Sequence, residues 1–525
     1  MRRGSTKEPA SRPVVLGIVG VILAVGTALH AWFLSSPLRV IDSDEAVVGL
    51  MARNLLDGDF EPFFLGQHYG SSHESIGVAA LMALQVPQDV AMRVVPMLFF
   101  AAAAVLVWRI GRRVVGEPGA SIAGALAWAA PAGLVWMSVK ERGFYGATLA
   151  FGLAAMLFAL RFADERRPRD AVLLGFFAGS AVWASPQSIY LLLPAAVWVT
   201  VAAVRRFGWG DSLRSGAVVA VSAVVGALPW IVANVRRDWA SLDAPTQPPS
   251  TYFERLDLFW TRGFAVVLGF RHPFTSEWFG GTTGQVAYAL AAVALFAGLA
   301  VWLVKRPEQR RTVALVAGAI VAYPFVFAAL PTSWFMNDPR YVTFLPPLVA
   351  VVVGALALRH VAWAAGAAAV MLVLSVIGTN AAVEMGDTWG RWDVAAYSVE
   401  PVGRLLESEG VDAAFADYWI AYRLTFATEE RVAASPLTNI RTVPVEEEAR
   451  CGDAPAYVTY RGSADVPTIE HALRERDVDF ETEHVGAFTV VLPEERVLPE
   501  EIAPLWESVR VGAVDTTRPP SCPTA

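Results

Sequence analysis

Charged residues are scarce in this chain of 525 residues. Only 17% of its residues are Asp, Glu, Lys or Arg, whereas 55% are hydrophobic. Soluble domains carry about 25% charged residues, so this composition excludes an ordinary soluble protein and predicts one that crosses a membrane several times. The net charge of -7 also argues against nucleic acid as a partner, because nucleic-acid-binding surfaces are basic.

Several motifs of soluble catalysis are missing. The two cysteines, Cys451 and Cys522, are too few for a zinc-type cysteine cluster. No GxxxxGK[ST] phosphate loop is present, which argues against ATP hydrolysis on this chain, and no Ser-His-Asp arrangement indicates a serine nucleophile. Lysine is also rare, with Lys7, Lys140 and Lys305 alone. Together with abundant Ala and Val, this indicates a GC-rich bacterial genome.

Long apolar stretches, in contrast, recur along most of the chain. A helix needs about 20 apolar residues to cross the hydrocarbon core of a bilayer. We therefore predict a mainly α fold, a polytopic membrane helix bundle of about 11 spans. The spans are placed at 13–34, 90–108, 119–137, 143–162, 170–186, 188–204, 215–235, 285–304, 312–330, 341–358 and 361–379.

Arginine and lysine concentrate in every second loop between these stretches. Such loops are usually cytoplasmic, so the alternate loops, beginning with the first outer loop at 35–89, are predicted to face the outside. This predicts a multi-pass protein of the bacterial plasma membrane with a cytoplasmic tail at 1–12 and a transmembrane domain at 13–382. An odd number of spans also sends the C-terminal region outside.

The composition changes near residue 384 and predicts an extracytoplasmic α/β domain over residues 383–525. Outside the membrane, Cys451 and Cys522 could form a disulfide, and two unpaired thiols are the equally open alternative. The predicted elements are a helix at 399–409 ended by Gly410, a strand at 411–416, a helix to 426 capped by Asp417, a strand at 456–460, a helix near 469–475 and a strand at 488–492.

An acidic run, Asp42-Ser43-Asp44-Glu45, follows the first predicted span. Acidic groups in a first turn favour the helix dipole, and apolar residues at helical spacing follow. The pattern predicts a helix from about Asp44 to Leu56, ended by Gly58. In one interpretation the carboxylates only cap this helix; in the other, at least one of them binds or reacts at the outer membrane surface.

The remainder of the first outer loop, from Phe63 to Glu74, is polar and rich in Gly and Ser. Such backbone is tolerated at membrane depth mainly where protein or a water-filled cavity satisfies it. Glu74 and one of the early carboxylates are therefore predicted to face a common pocket. His68 and His73 leave a divalent metal open as a cofactor, but two loop histidines are a weak signal, and no metal site is predicted.

These features resemble the first periplasmic loop of the GT-C membrane glycosyltransferases, in particular the protein O-mannosyltransferase and aminoarabinose transferase group of the family 39 type. The chain departs from that group at Ser71-Ser72-His73, where the transferases have pairs of proline, so the acceptor and the role of Glu74 stay open. The similarity covers roughly residues 13–380 and is carried by Asp44-Glu45, the amphipathic helix, Gly58-Asp59-Phe60, Arg93-Val94-Val95-Pro96 and Arg340-Tyr341 before Leu345-Pro346-Pro347.

The resemblance implies a polyprenyl-phosphate-linked sugar as donor and transfer with inversion, at the extracytoplasmic face, to an acceptor that the sequence does not identify. In this family the first residue of the Asp-Glu pair is the expected catalytic base, and the matching position here is Asp44. Cations suit the leaving phosphate. The candidate substrate-binding residues are Glu45, Glu74, Tyr69, Arg93, Lys140, Arg142, Arg340 and Tyr341.

Several of these assignments have alternatives. Lys140-Glu141-Arg142 could be an interfacial charge cluster with snorkelling stems, and Arg340 could form a structural ion pair with Asp338. Tyr418, Trp419 and Tyr422 could stack on sugars or belong to a core.

For the whole chain, a transporter or flippase of lipid-linked sugars and a noncatalytic membrane scaffold remain alternatives. A transporter places ionisable residues near the bilayer midplane. The predicted spans carry few of them, which favours the enzyme.

Overall fold

The structure is a computed structural model that describes residues 12–243, 250–275, 277–305, 310–330, 339–388 and 397–502. The described residues form two compact units. The first comprises the described parts of Met1–Leu34, Arg93–Lys140 and Phe144–Ala382, and the second those of Ser35–Met92, Glu141–Gly143 and Val383–Ala525. The second unit thus groups the first outer loop with the C-terminal region, a combination that the sequence pattern does not predict.

Twenty α-helices and five strands lie in the described residues. The helices are α1 (Arg12–Ser35), α2 (Ser43–Leu56), α3 (His73–Ala83), α4 (Gln88–Val114), α5 (Gly119–Ala129), α6 (Ala132–Val139), α7 (Tyr145–Glu165), α8 (Pro168–Ala184), α9 (Ile189–Gly226), α10 (Leu228–Arg236), α11 (Tyr252–Leu258), α12 (Phe264–Val267), α13 (Gly281–Lys305), α14 (Arg310–Ala329), α15 (Pro346–Ala355), α16 (Val361–Thr388), α17 (Glu400–Ser408), α18 (Tyr418–Ala427), α19 (Val443–Cys451) and α20 (Asp465–Glu475). The strands are β1 (Ala413–Ala416), β2 (Ala433–Pro436), β3 (Ala456–Tyr460), β4 (Phe480–Val485) and β5 (Phe488–Pro493).

The first unit is built of long apolar helices. By length and composition, seven helices in the described part of the chain can cross a membrane, and eight can if the bent pair α5 and α6 counts as one span. This confirms a multi-pass membrane protein that is mainly α with a small C-terminal sheet.

The number of full-length spans is smaller than the eleven that hydropathy predicts, because local breaks divide several apolar stretches. The stretch at 119–137 bends by 64° between α5 and α6, where Pro131 interrupts the helix. The stretch at 341–358 begins as a 3₁₀ turn and then continues as the short helix α15.

Two other predicted spans correspond to the two helical halves of α9, which are separated at Gly208. The helix α9 covers the span predicted at 188–204 and the start of the one at 215–235, and Gly208 interrupts it with a φ of +77°. Its second half packs closely on α8: a Cβ at Gly175 or Gly179 would lie 2.1 Å or 2.0 Å from a carbonyl oxygen of α9. Small residues permit such close helix packing in membranes.

The second unit contains a five-stranded sheet in the order β2-β1-β3-β5-β4. The strand β1 runs parallel to β2 and β3, whereas β5 runs antiparallel to β3 and β4. Alternating residues form a core on each face, with Val458 and Val490 on the side of α17 and α18. Tyr457 and Val491 lie on the side of α19 and α20. The helix α2 of the first outer loop belongs to this unit and packs on α18, where the Ser43 hydroxyl donates to the Tyr418 carbonyl at 2.6 Å.

Candidate active site

The acidic run forms the N-terminus of α2, and two of its three acids cap that helix. Asp42 is the N-cap residue, and its carboxylate accepts from the Glu45 N–H at 3.0 Å. The Glu45 carboxylate in turn accepts from the Asp42 N–H at 3.0 Å. This reciprocal pair is a capping box, which satisfies two of the helix's unpaired donors. The capping interpretation therefore describes Asp42 and Glu45.

Asp44 makes different contacts. One of its carboxylate oxygens accepts a hydrogen bond from the Tyr418 hydroxyl at 2.6 Å, and the other accepts from the Arg142 guanidinium at 3.3 Å. Its side chain is 14% exposed, compared with 3% for Asp42. Asp44 is thus held from two sides by charge and hydrogen bonding while part of its carboxylate remains accessible.

Arg142 joins the two aspartates. Its guanidinium lies 3.2 Å from an Asp42 oxygen and 3.3 Å from Asp44, and its side chain is only 2% exposed. A buried guanidinium requires such partners, because desolvation without them is costly. Lys140, Glu141 and Arg142 are all buried, so the cluster does not have the exposed head groups of snorkelling side chains.

Tyr418 and Arg441 extend this network from the C-terminal part of the unit. The Arg441 Nε donates to the Tyr418 hydroxyl at 3.3 Å, so the phenol accepts from a cation and donates to Asp44. Burial raises the pKa of Tyr418 well above its usual value, and the neighbouring Asp44 charge adds to that shift. Tyr418 therefore stays a neutral hydrogen-bond donor at physiological pH.

The polar loop before α3 packs around Arg441. With the amide oriented to satisfy its neighbours, the Gln67 oxygen accepts from both terminal nitrogens of Arg441 at 2.6 and 3.1 Å. Gly66 has a φ of +66°, and a Cβ there would lie 2.5 Å from the Arg441 Cα, so only glycine fits. The Tyr69 phenol also acts electrostatically on Arg441. Tyr69 thus lies near Arg441.

A second acidic group lies beside the capping box. The Glu141 N–H donates to Glu45 at 3.1 Å, and a Glu141 carboxylate oxygen accepts from the Gly143 N–H at 3.1 Å. Burial first, and then the charge of Glu74 and a hydrogen bond with it, raise the pKa of Glu141 well above its usual range. A raised pKa favours the protonated, uncharged form of the Glu141 carboxyl.

The two loop histidines do not assemble a metal site in the described residues, where no group of three or more His, Cys, Asp or Glu could hold an ion. Burial lowers the pKa of His73 to about 3, so its ring is neutral, and its Nδ1 lies 2.7 Å from the Ser71 hydroxyl. These contacts tie His73 to its own loop. His68 lies in the same unit.

The other predicted site residues belong to the first unit. Arg93 donates to the Val139 carbonyl at 3.0 Å, and Lys140 is buried at the end of α6. The Tyr341 carbonyl accepts from the Tyr323 hydroxyl at 2.8 Å, and Arg340 is half-buried in a 3₁₀ turn. The suggested partner of Arg340, Asp338, lies outside the described residues. The donor-binding role of these residues stays a prediction.

Sequence reasoning missed Arg441, and it interpreted Tyr418 only as a stacking or core residue. Tyr418 and Tyr422 are buried, which agrees with the core interpretation, yet the Tyr418 hydroxyl reaches Asp44. Nothing local distinguishes Arg441 from the other arginines of the C-terminal region. Only the fold brings it to the acidic helix.

Part of the chain is similar to a known protein family. Residues 78–232, from α3 to α10, match the family described as dolichyl-phosphate-mannose-protein mannosyltransferase. Comparison with curated protein sequences finds no significant match.

Solved structures similar to the chain include ArnT from Cupriavidus metallidurans in the apo state. That chain has 14% identity and a TM-score of 0.61, and the similarity covers 91% of the present chain and 98% of ArnT. The same protein bound to undecaprenyl phosphate gives 14% identity, 94% and 99% coverage and a TM-score of 0.59. An Archaeoglobus fulgidus oligosaccharyltransferase tethered with an acceptor peptide gives 12% identity, 86% and 69% coverage and a TM-score of 0.50. At this identity the likeness shows the fold.

Proposed function

Because the chain has the fold of the GT-C superfamily of membrane glycosyltransferases, we propose that it transfers a sugar from a polyprenyl-phosphate-linked donor, with Asp44 as the catalytic base. The observation that carries this proposal is the contrast between Asp44 and its neighbours. Asp42 and Glu45 direct their carboxylates to the helix terminus, whereas Asp44 is turned away from it, fixed by Arg142 and Tyr418 and partly accessible.

The reaction needs a base, because the acceptor atom must lose a proton as it attacks. In the proposed step the proton passes to an Asp44 oxygen while the acceptor's electron pair forms the new bond to the anomeric carbon. The bond between that carbon and the phosphate oxygen breaks, and its electron pair leaves with polyprenyl phosphate. Attack from the face opposite the phosphate inverts the anomeric centre. A carboxylate within hydrogen-bond reach of the acceptor is suited to this role.

The surrounding residues preorganise that base. Arg142 and Tyr418 fix both oxygens of Asp44, and fixed partners need no reorganisation during the reaction. Glu45 uses both of its oxygens on main-chain N–H groups, so we assign it a positioning role. Tyr69 and Glu74 remain candidates for substrate contact. For the leaving phosphate we retain Arg93, Lys140, Arg142 and Arg340.

Relatives in fold support the choice of donor. The Cupriavidus metallidurans ArnT was solved with undecaprenyl phosphate bound, and the matched family is described by dolichyl-phosphate-mannose. Both names specify a polyprenyl phosphate carrier. We further propose that the reaction takes place at the outer face of a bacterial plasma membrane, as the arginine distribution predicts. The sugar and the acceptor are left undefined.

The proposal is tested by Asp44→Asn in the full chain reconstituted in nanodiscs. A panel of radiolabelled polyprenyl-phosphate sugars would be incubated with membrane extract as acceptor source, and released polyprenyl phosphate and transferred label would both be measured. We expect transfer to fall by about 10²- to 10⁴-fold, the usual contribution of a general base. Thermal unfolding and size-exclusion chromatography would show that the variant is folded.

Two matched variants sharpen this test. Asp59→Asn removes a carboxylate from an exposed position in the same loop and should leave transfer unchanged. Asp42→Asn removes a charge from the same guanidinium but keeps a good N-cap residue, so it should affect stability more than transfer. Full transfer by folded Asp44→Asn protein would exclude Asp44 as the base.

A further inference from the structure

An apolar groove in the first unit ends in a group of arginines. The groove has a volume of about 830 Å³ and is lined by α4, α7 and α8. Phe99, Phe151 and Phe177 form its aromatic wall, with successive ring centroids 6.0 Å apart. On α4, Ala102 and Val105 lie on the exposed side of the groove. Because α4 and α7 are both long enough to span a membrane, this surface faces hydrocarbon chains.

The arginines at the end of the groove differ in how far their charge is neutralised. Arg113 pairs with Asp164 and Glu165, and Arg161 pairs with the buried Asp170. These inner arginines are therefore part of the protein's own ion-pair network. They line the groove but bring little uncompensated charge to it.

The outer arginines carry the surplus positive charge. Arg109 is exposed and stacks on Trp108, and no carboxylate among the described residues lies within ion-pair distance of it. Arg112 is 52% exposed, and its closest acid, Glu117, lies 4.0 Å away. Glu117 also accepts hydrogen bonds from Trp108 and Ser121. Arg109 and Arg112 thus present two guanidinium groups at the mouth of an apolar groove.

This combination fits one class of ligand. We propose that the groove binds an anionic phospholipid, with one acyl chain along the phenylalanine wall and the phosphate at Arg109 and Arg112. Guanidinium groups bind phosphate oxygens through charge-assisted, often paired hydrogen bonds. Basic pockets between transmembrane helices are suited to anionic head groups.

The position along α4 separates this groove from the proposed donor site. At 1.5 Å per residue, Arg109 lies about 24 Å along the helix from Arg93, which is close to the thickness of a hydrocarbon core. Arg93 is a candidate for the donor phosphate. A head group at Arg109 therefore belongs to the other leaflet, which the arginine distribution predicts to be cytoplasmic.

The inference is tested by native mass spectrometry of the full chain, purified in detergent and mixed with equal amounts of phosphatidylglycerol and phosphatidylcholine. We expect the wild-type chain to retain one phosphatidylglycerol in preference. The double variant Arg109→Gln/Arg112→Gln should lose that preference by roughly tenfold or more, since each basic residue contributes about 1 kcal/mol to binding of an anionic lipid.

The control is Arg169→Gln/Arg205→Gln, which removes the same charge from exposed positions outside the groove and should keep the preference. Ala102→Phe, which narrows the groove without changing charge, should reduce retention of both lipids. Size-exclusion chromatography checks folding, and the Ala102 variant carries the test if the arginine pair does not fold. The proposal would be overturned if the wild type retained the two lipids equally, or if the control variant lost the preference as much as Arg109→Gln/Arg112→Gln does. It would also be overturned if fragment spectra identified the retained native lipid as polyprenyl phosphate.

Discussion

At the scale of single residues, three neighbouring carboxylates lie in two different environments. Asp42 and Glu45 bond main-chain donors at a helix terminus, whereas Asp44 is bonded by Tyr418 and Arg142. One residue of offset on a helix turns a side chain by about 100°, since a turn holds 3.6 residues. The side chains of Asp44 and Glu45 therefore point in different directions. This geometry is the reason that Asp44, rather than the acidic run as a whole, is the proposed base.

The sequence could predict the acidic residues of the site but not their partners. Asp44, Glu74 and Arg142 stand out because charge in the outer loops of a membrane protein is unusual. Tyr418 and Arg441 do not stand out, because aromatic residues and arginines are ordinary in a soluble domain. The hydrogen bond between Tyr418 and Asp44 joins residues 374 positions apart, and a contact of that kind depends on tertiary folding rather than on any local pattern.

The raised pKa of Glu141 gives the protein a pH-dependent stability. The native pKa of Glu141 is raised well above the ordinary 4.5 by burial and by Glu74. Between the unfolded and native pKa values the native state binds more protons, so stability falls as pH rises through this interval, by up to about 1.4 kcal/mol per pH unit. Glu141→Gln removes this titration while keeping a hydrogen-bonding side chain.

We therefore expect the melting temperature of Glu141→Gln, relative to wild type, to rise steadily from pH 4.5 upward. Differential scanning fluorimetry of the detergent-purified chain at a series of pH values measures it. Glu481→Gln, at an exposed strand position, should follow the wild-type curve. A constant difference between Glu141→Gln and wild type across pH would show that the pKa of Glu141 is not raised in the native state.

At the scale of elements, helices with caps and strands with buried runs were predictable. The structure has the helix α2 at Ser43–Leu56, followed by Gly58 at a φ of +101°. It has the strand β3 at Ala456–Tyr460 and the helix α18 capped by Asp417. The strands β2 and β4 and the helix α19 escaped prediction. β2 has only four residues and ends in Pro436, and the alternating charged residues of β4 lie at the edge of the sheet, so neither has a continuous hydrophobic signal.

The packing of α2 on α18 depends on a glycine. A Cβ at Gly49 would lie 2.3 Å from the Phe426 ring, and Arg53 stacks on that ring at 4.7 Å. The contact with Arg53 holds the Phe426 ring in place, so the ring cannot move away from a larger side chain at position 49. Gly49→Val should therefore lower the free energy of unfolding by about 1–3 kcal/mol, the usual cost of overpacking. Chemical denaturation of the purified chain measures the change. Gly210→Val, which has no atom within 4 Å of its Cβ position, should cost much less, and equal costs would show that α2 does not pack closely there.

At the scale of the whole molecule, hydropathy predicts the membrane character, whereas the number of crossings stays a prediction. Apolar composition records where hydrocarbon or protein surrounds a helix, but it does not record where Pro131 bends the stretch at 119–137 or where Gly208 interrupts α9. An orientation derived by counting spans therefore depends on every span, since one missed span reverses the predicted side of every later loop.

Contacts within the second unit indicate which segments lie on the same side of the membrane without a count of the spans. The Ser43 hydroxyl bonds the Tyr418 carbonyl, and Arg53 pairs with Glu430. The first outer loop and the C-terminal region therefore lie on one side of the membrane, and the number of crossings between them is even.

Thiol labelling with a membrane-impermeant maleimide in intact cells tests whether the first outer loop and the C-terminal region lie on the same side of the membrane. Single cysteines at exposed positions, Asp59→Cys in the first outer loop and Glu481→Cys in the C-terminal region, should label to the same extent before and after lysis. Arg169→Cys, in an arginine-rich loop, should label only after lysis because such loops are cytoplasmic. The wild-type chain, with its two natural cysteines, provides the background signal. If positions 59 and 481 label from opposite sides, the contact between α2 and α18 is contradicted. If both are protected in intact cells, that contact stands, and chemistry at the outer face is excluded.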